Sequence, residues 1–89
     1  MAKELVFADR FKRNYQALPR AIRQRFEKQL KLFLQDPTHP SLRIHRYKTE
    51  PNVWEASVTM QYRFTFSIAQ ERIIFRNIGS HRIIDRGQV

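Results

Sequence analysis

The sequence predicts an α+β fold: an N-terminal strand and a two-helix hairpin packed on one face of a mainly antiparallel sheet of four or five strands. Two observations carry this. Apolar residues recur near every fourth position as far as Leu34, and at every second position after Pro40. The chain has 89 residues, 42% of them hydrophobic and 7 of them Phe, enough for one core and too few for two. Residues 1–89 therefore read as one domain.

The elements follow in order. Lys3 to Phe7 reads as an opening strand. Asp9 is placed to cap a helix carrying Phe11 and Tyr15 one turn apart. That helix ends near Leu18, because Pro19 disfavours helical geometry in the residue before it. Pro19 in turn suits the first turn of a second helix. There Ile22, Phe26, Leu30, Phe33 and Leu34 form one apolar stripe opposite Arg20, Arg23, Lys28 and Lys31. Asp36-Pro37 stops it.

Beyond Pro40, Leu42 to Tyr47 alternates. Residues 53–60 place Trp54, Ala56, Val58 and Met60 on one face and Glu55, Ser57 and Thr59 on the other. Residues 62–68 send Tyr62, Phe64, Phe66 and Ile68 inward and Arg63, Thr65 and Ser67 outward. Arg72 to Ile78 is more uniformly apolar, as a central strand is. If 53–60 and 62–68 pair as a tight hairpin, Glu55, Ser57, Arg63 and Thr65 form one patch, with Arg43 and His45 beside it. The sheet face away from the helices is then the open, polar one.

Charge gives the first indication of function. Lys and Arg number 17 against 8 Asp and Glu, a net charge of +9 spread over both halves of the chain. Such a field attracts polyanions, although solubility alone also favours charge. The chain contains no Cys, which excludes disulfides and thiol chemistry. No apolar run approaches the roughly 18 residues of a membrane helix. The opening MAKELVFADRF is too charged for a secretion signal, so a cytoplasmic, soluble protein with no membrane association is expected. An Arg- and His-bearing sheet face suits a single-stranded polynucleotide, with phosphates on the cations and bases stacked on aromatics such as Tyr47. The same pattern also fits an ordinary solvated strand face.

His39, His45 and His81 are scattered, with no metal-ligand spacing, and no Gly-rich phosphate loop or GxSxG is present. No metal and no cofactor are expected. Metal-free RNA cleavage needs a group to take the 2′-hydroxyl proton, cations on the phosphate and an acid for the leaving oxygen. His81 follows Gly79-Ser80 directly after the last strand and can project from a rigid edge, or be a surface His in a turn. Arg63, fixed between inward aromatics, can hold a phosphate or pair with Glu55. Glu55 is a base or that counter-ion. His45 and His39 fit solvated positions better than catalytic ones.

The ordered set of a basic helical hairpin, PSLRIHRYK, VWEASVTMQYRFTFSI and IIFRNIGSHRIID resembles the RelE/ParE superfamily of toxin–antitoxin toxins over about Phe7 to Asp85. The ending RNIGSH is most similar to the YafQ-like branch of messenger-RNA interferases. The resemblance implies a RelE-like fold and a toxin that acts as a ribosome-dependent endoribonuclease. It would cut mRNA on the ribosome, inhibit translation and be neutralised by an acidic cognate antitoxin. It places Arg63 as a phosphate-binding residue and His81 as a general acid. Glu55 stands where some relatives carry other catalytic groups. Arg43, Arg46 and Lys48 fall where relatives bind RNA backbone, and His39, in HPSL, matches a family His before the second strand. Two other readings stand beside this one. The gyrase-directed ParE branch shares the fold without such a His, and a non-toxic RNA-binding module also fits the charge.

Overall fold

Leu5, Val6 and Phe7 run parallel to Ile73, Ile74 and Phe75, which joins the opening strand β1 (Glu4–Phe7) to the long strand β5 (Arg72–Ser80). The computed structural model describes residues 3–89; Met1 and Ala2 of the predicted domain lie outside the described residues. Antiparallel pairing adds β4 (Tyr62–Ala69), β3 (Trp54–Ser57) and β2 (His45–Arg46), giving one five-stranded sheet in the order β1-β5-β4-β3-β2. Helices α1 (Asp9–Gln16) and α2 (Arg20–Gln35) lie between β1 and β2 in the chain. The α+β architecture expected from the two periodicities is the one observed.

The core between α1, α2 and the sheet is aromatic. Phe26 meets Phe64 edge-on at 5.3 Å, and Phe33 meets Phe66 at 5.0 Å, both contacts between α2 and β4. Phe7 stacks on Phe75 at 4.6 Å and fixes β1 against the sheet centre. Strand β5 departs from simple alternation, with Ile73, Ile74 and Phe75 consecutive, and the departure has a specific cause. Thr65 faces Asn77 while Phe66 faces Phe75, so Arg76 is an extra residue in the ladder. This bulge lets Ile73 and Phe75 before it, and Ile78 after it, all reach the same core despite the change of parity.

Several boundaries differ from the expected ones. Asp9 does not cap α1: the cap is Ala8, and Asp9 sits in the first turn, where its charge complements the helix dipole. Pro19 is the cap of α2 and not part of its first turn. Strand β3 ends at Ser57, so Met60 is in the turn and 70% exposed instead of facing inward. Leu34 and Ile68, expected inside, are half exposed; with Leu5, Phe33, Trp54 and Phe66 they line an apolar groove of about 600 Å³. Leu42 to Tyr47 is mostly not a strand. Pro40–Leu42 forms a 3-10 turn that Arg43 ends in the left-handed region, at φ 51°, leaving only His45 and Arg46 to pair.

The largest correction concerns the second sheet face, which is not open. A third helix, α3 (His81–Asp85), follows β5, and residues 86–89 fold back across the sheet. Ile84 and Val89 pack with Tyr47 and Val53 into a small second cluster. The tail is held by hydrogen bonds: Asn77 Nδ2 donates to the Gln88 carbonyl at 2.6 Å and Arg76 Nε to the Val89 carbonyl at 2.9 Å. Thr65 and Ser57, read as outward members of a polar patch, are therefore buried. Thr65 directs its hydroxyl to the Asn77 carbonyl, and the Ser57 carbonyl accepts from buried Gln29 of α2. Among the described residues no helix is long and apolar enough to cross a membrane.

Candidate nucleic-acid interface

Register builds the part of this face that stays accessible. Antiparallel pairing puts His45 opposite Glu55, and Arg63 opposite Ser57 two positions along β3, so His45, Glu55 and Arg63 share one face at the β2 edge. Glu55 is buried, which is unusual for a carboxylate without partners. It has two: Oε1 lies 3.4 Å from His45 Nε2, and Oε2 lies 3.5 Å from Arg63 Nε. The second face of the His45 ring is also occupied, with Nδ1 2.8 Å from the Arg43 carbonyl oxygen.

Arg63 is anchored more firmly than an interior position between aromatics requires. Its Nη1 donates to the carbonyls of Met60 and Thr59 at 2.8 and 2.9 Å, tying down the β3–β4 turn. Among the described residues Nη2 makes no hydrogen bond, and it is the part of the guanidinium left for a ligand. His45, Arg46, Lys48, Glu55 and Arg63 line a recess of about 250 Å³, completed by Tyr47 and Asp85. Arg46, Lys48 and Arg63 are its fixed cations, and Glu55 and Asp85 its anions. The Arg46 guanidinium lies 5.0 Å above the Trp54 ring, which gives this exposed cation a defined position.

Tyr47 does not offer its ring for base stacking. It is 4% exposed, and its hydroxyl donates to the Ile84 carbonyl, so it forms the floor under α3. Burial pushes its phenol above the usual tyrosine range, and the charges of Asp85 and Glu55 add to that. The hydroxyl stays a neutral donor.

The recess gathers only some of the expected site residues. His45, Arg46, Lys48, Glu55 and Arg63 come together. His81 lies at the start of α3, about half exposed, with Nδ1 3.8 Å from Asp85 Oδ2; Asp85 lines the recess and His81 does not. Its backbone N–H donates to the Gln61 carbonyl at 2.8 Å, which ties the helix start to the same β3–β4 turn that Arg63 secures. Ser80 caps α3 by accepting from the Ile83 amide, at 3.4 Å. His39 is outside the recess. Its Nδ1 accepts from the Ser41 amide at 3.2 Å and caps the 3-10 turn. Arg43 also lies outside the lining, its Nη1 3.3 Å from Met60 Sδ, and contributes to the recess only through its carbonyl. Sequence reading missed Asp85, whose one signal was its position one helical turn after His81 in HRIID.

A five-stranded sheet backed by two helices, with a basic recess at its β2–β4 edge, is thus the architecture of this chain. No family model matches the chain, and no curated protein matches it in sequence. Solved structures do match in fold. A chain of the E. coli DinJ–YafQ toxin–antitoxin complex aligns with a TM-score of 0.78 at 8% identity, over 94% of this chain and 98% of that one. A chain of the RelB–RelE antitoxin–toxin complex from Methanococcus jannaschii gives 0.71 at 21% identity, over 89% and 93%. A chain of the archaeal RelE–RelB complex from Pyrococcus horikoshii OT3 gives 0.70 at 16% identity, over the full length of both. The likeness at these identities is one of fold.

Proposed function

We propose that this chain is the toxin of a type II toxin–antitoxin pair, a metal-independent endoribonuclease that cuts messenger RNA on the ribosome and is neutralised by an acidic antitoxin. The observation that supports this reading best is the recess itself. Three cations, Arg46, Lys48 and Arg63, surround a buried carboxylate that contacts an imidazole, at an accessible sheet edge. Cations fixed beforehand stabilise charge that builds on a phosphoryl group during attack by the neighbouring 2′-hydroxyl, and they need no reorganisation when it appears. Arg63 carries the phosphate through Nη2, and Arg46 and Lys48 hold the adjoining backbone. His81, half exposed on the helix beside the recess, supplies the leaving oxygen's proton.

The solved neighbours include toxin–antitoxin complexes, which supports a protein partner for this chain. The partner is expected to be acidic on physical grounds: a net charge of +9 repels itself, and an acidic segment relieves that repulsion while covering the recess.

Primer extension on cellular messages after induction tests the reading. Discrete cuts confined to translated regions are expected. Intact transcripts with blocked replication would assign the chain to gyrase-directed toxins instead, and absence of growth arrest would leave a binding module. His81→Ala is expected to remove growth arrest while antitoxin binding survives.

A further inference from the structure

We infer that the apolar groove beside α2 seats an amphipathic helix of a partner protein, apolar along one stripe and acidic at both ends, and that its occupant weakens RNA binding in the recess through Arg46. The seat stands apart from the ribonuclease reading above; its effect on the recess rests on that reading. Register makes the groove. Leu5, Ile73 and Ile68 form one row across β1, β5 and β4, and Phe66 pairs with Trp54 in the next. Helix α2 reaches this end of the sheet only with Phe33 and Leu34, so the first row stays open along a groove of about 600 Å³. Two of the four large hydrophobics exposed among the described residues, Leu34 and Ile68, stand on it. Exposed apolar groups gathered in one place mark an interaction surface, where scattered ones do not.

The lining selects the occupant. Lys3 is its only charged side chain, and Trp54 the only other with a polar atom, so the groove offers nothing to satisfy a bare backbone. A strand laid along the row would cross β1, β5 and β4 and meet no ladder edge. A helix brings its own hydrogen bonds. Both ends of the groove are cationic. Lys3 Nζ stands at the β1 end, 3.3 Å from the Gln70 carbonyl, and the Arg46 guanidinium at the β2 end, 5.0 Å above the Trp54 ring. Among the described residues neither has a carboxylate partner. The strand spacings from β1 to β2 add to roughly 19 Å, the length of a helix of about 13 residues.

Arg46 belongs to both places. Pairing sets it opposite Trp54, on the groove face of β2, and it also borders the recess. Lying over Trp54, it adds its charge to the field that RNA meets. Paired with a carboxylate of the occupant, that charge is neutralised. The helix therefore acts on RNA from the other face of the sheet, without touching Glu55 or Arg63.

Trp54 is the only Trp of the chain, so its emission reports the groove directly. The probe is a synthetic helical peptide of about 16 residues, with one Leu stripe and Glu at both ends; a copy with Lys for Glu is the control. A saturable blue shift is expected with the Glu peptide, and binding at least about tenfold weaker with the Lys peptide. Leu34→Glu and Ile68→Glu, at exposed positions and shown to melt with the wild type, are each expected to abolish the shift. No saturable shift, equal binding of the two peptides, or a shift that survives both variants overturns the seat. A shift that appears on raising protein concentration without peptide seats a second copy of this chain there and also overturns it. Saturating Glu peptide is expected to weaken binding of a labelled oligouridylate about fivefold, and Arg46→Ala, itself weaker for RNA, to lose that effect. An unchanged oligouridylate affinity overturns the coupling. An oligouridylate that fails to bind the unoccupied protein overturns the RNA reading of the recess, and is told apart by the peptide titration, which uses no RNA.

Discussion

Nε of Arg63 lies 3.5 Å from Oε2 of Glu55, while Nη1 of the same guanidinium holds the carbonyls of Met60 and Thr59. One side chain thus closes the β3–β4 turn and neutralises a buried carboxylate. Removing one member of a buried pair typically costs about 3 kcal/mol, because the other charge is left uncompensated. The Arg63 side chain is 18% exposed, so about 2 kcal/mol is expected for Arg63→Ala, a fall of roughly 10 °C in Tm for a chain of this size. Adding Glu55→Gln should recover part of that loss. Thermal unfolding followed by circular dichroism checks it: an Arg63→Ala variant that melts with the wild type means the pair contributes nothing. It follows that a loss of the proposed activity in Arg63→Ala is evidence about chemistry only when the variant is shown to be folded at the assay temperature.

Tyr47 makes stability sensitive to alkali. Burial raises its phenol above the ordinary 10.0, so the folded state favours the neutral form. That contribution is complete below the unfolded-state value and is lost as pH climbs through the raised folded one. Denaturant titrations between about pH 8 and 11 should show falling stability at the upper end. Tyr15, raised mainly by burial and next by its hydrogen bond to Glu27, adds to the same trend. Tyr47→Phe should flatten part of the slope and lower stability near neutrality by about 1 kcal/mol, since the Ile84 carbonyl loses its donor. An unchanged slope in Tyr47→Phe would mean that the phenol ionises equally well in the folded chain.

Ser80 governs the placement of His81. Helix α3 has five residues, too few to stand by itself, and its Ser80 cap satisfies the Ile83 amide. Ser80→Ala should cost about 1 kcal/mol, and Ser80→Asp, whose carboxylate caps equally well, should cost little. Amide exchange at Ile84 reports the difference: faster exchange in Ala than in Asp is expected, whereas equal rates would show that packing of Ile84 and Val89 alone holds the helix.

How much of this was legible in the sequence differs between the two sheet faces. Phe64 and Phe66 alternate, and Phe26 and Phe33 share a helical stripe, so the core face follows from two periods and needs nothing else. The grouping of Glu55 with Arg63 also follows from alternation plus a hairpin. Burial of Thr65 does not, because the residues that cover it, around Ile84 and Val89, lie some twenty positions further along the chain and are too short a segment to show a period. The bulge at Arg76 reads in sequence only as a failure of alternation, three apolar residues followed by Arg76 and Asn77. The recess was half visible for the same reason: strand pairing implied His45 beside Glu55, but the left-handed turn at Arg43 that fixes the ring has no signature in an Arg.

Binding of the proposed acidic antitoxin should separate into two physical parts, and salt tells them apart. The recess and the helical hairpin present Arg46, Lys48, Arg20, Lys28 and Lys31 to solvent, where ion pairs are screened within about 8 Å at physiological ionic strength. Another accessible feature is the apolar groove beside Leu34 and Ile68, whose contacts salt does not weaken. An antitoxin segment rich in Asp and Glu is expected to be disordered alone and to fold on the surface. Its affinity, measured by calorimetry, should fall at least about tenfold from ~0.05 M to ~0.5 M salt, mainly through slower association. Charge reversal at Arg46 and Lys48 should remove much of that dependence. A complex equally tight at both salt concentrations would mean that the net charge of +9 serves RNA alone, and that the protein partner is held through the groove.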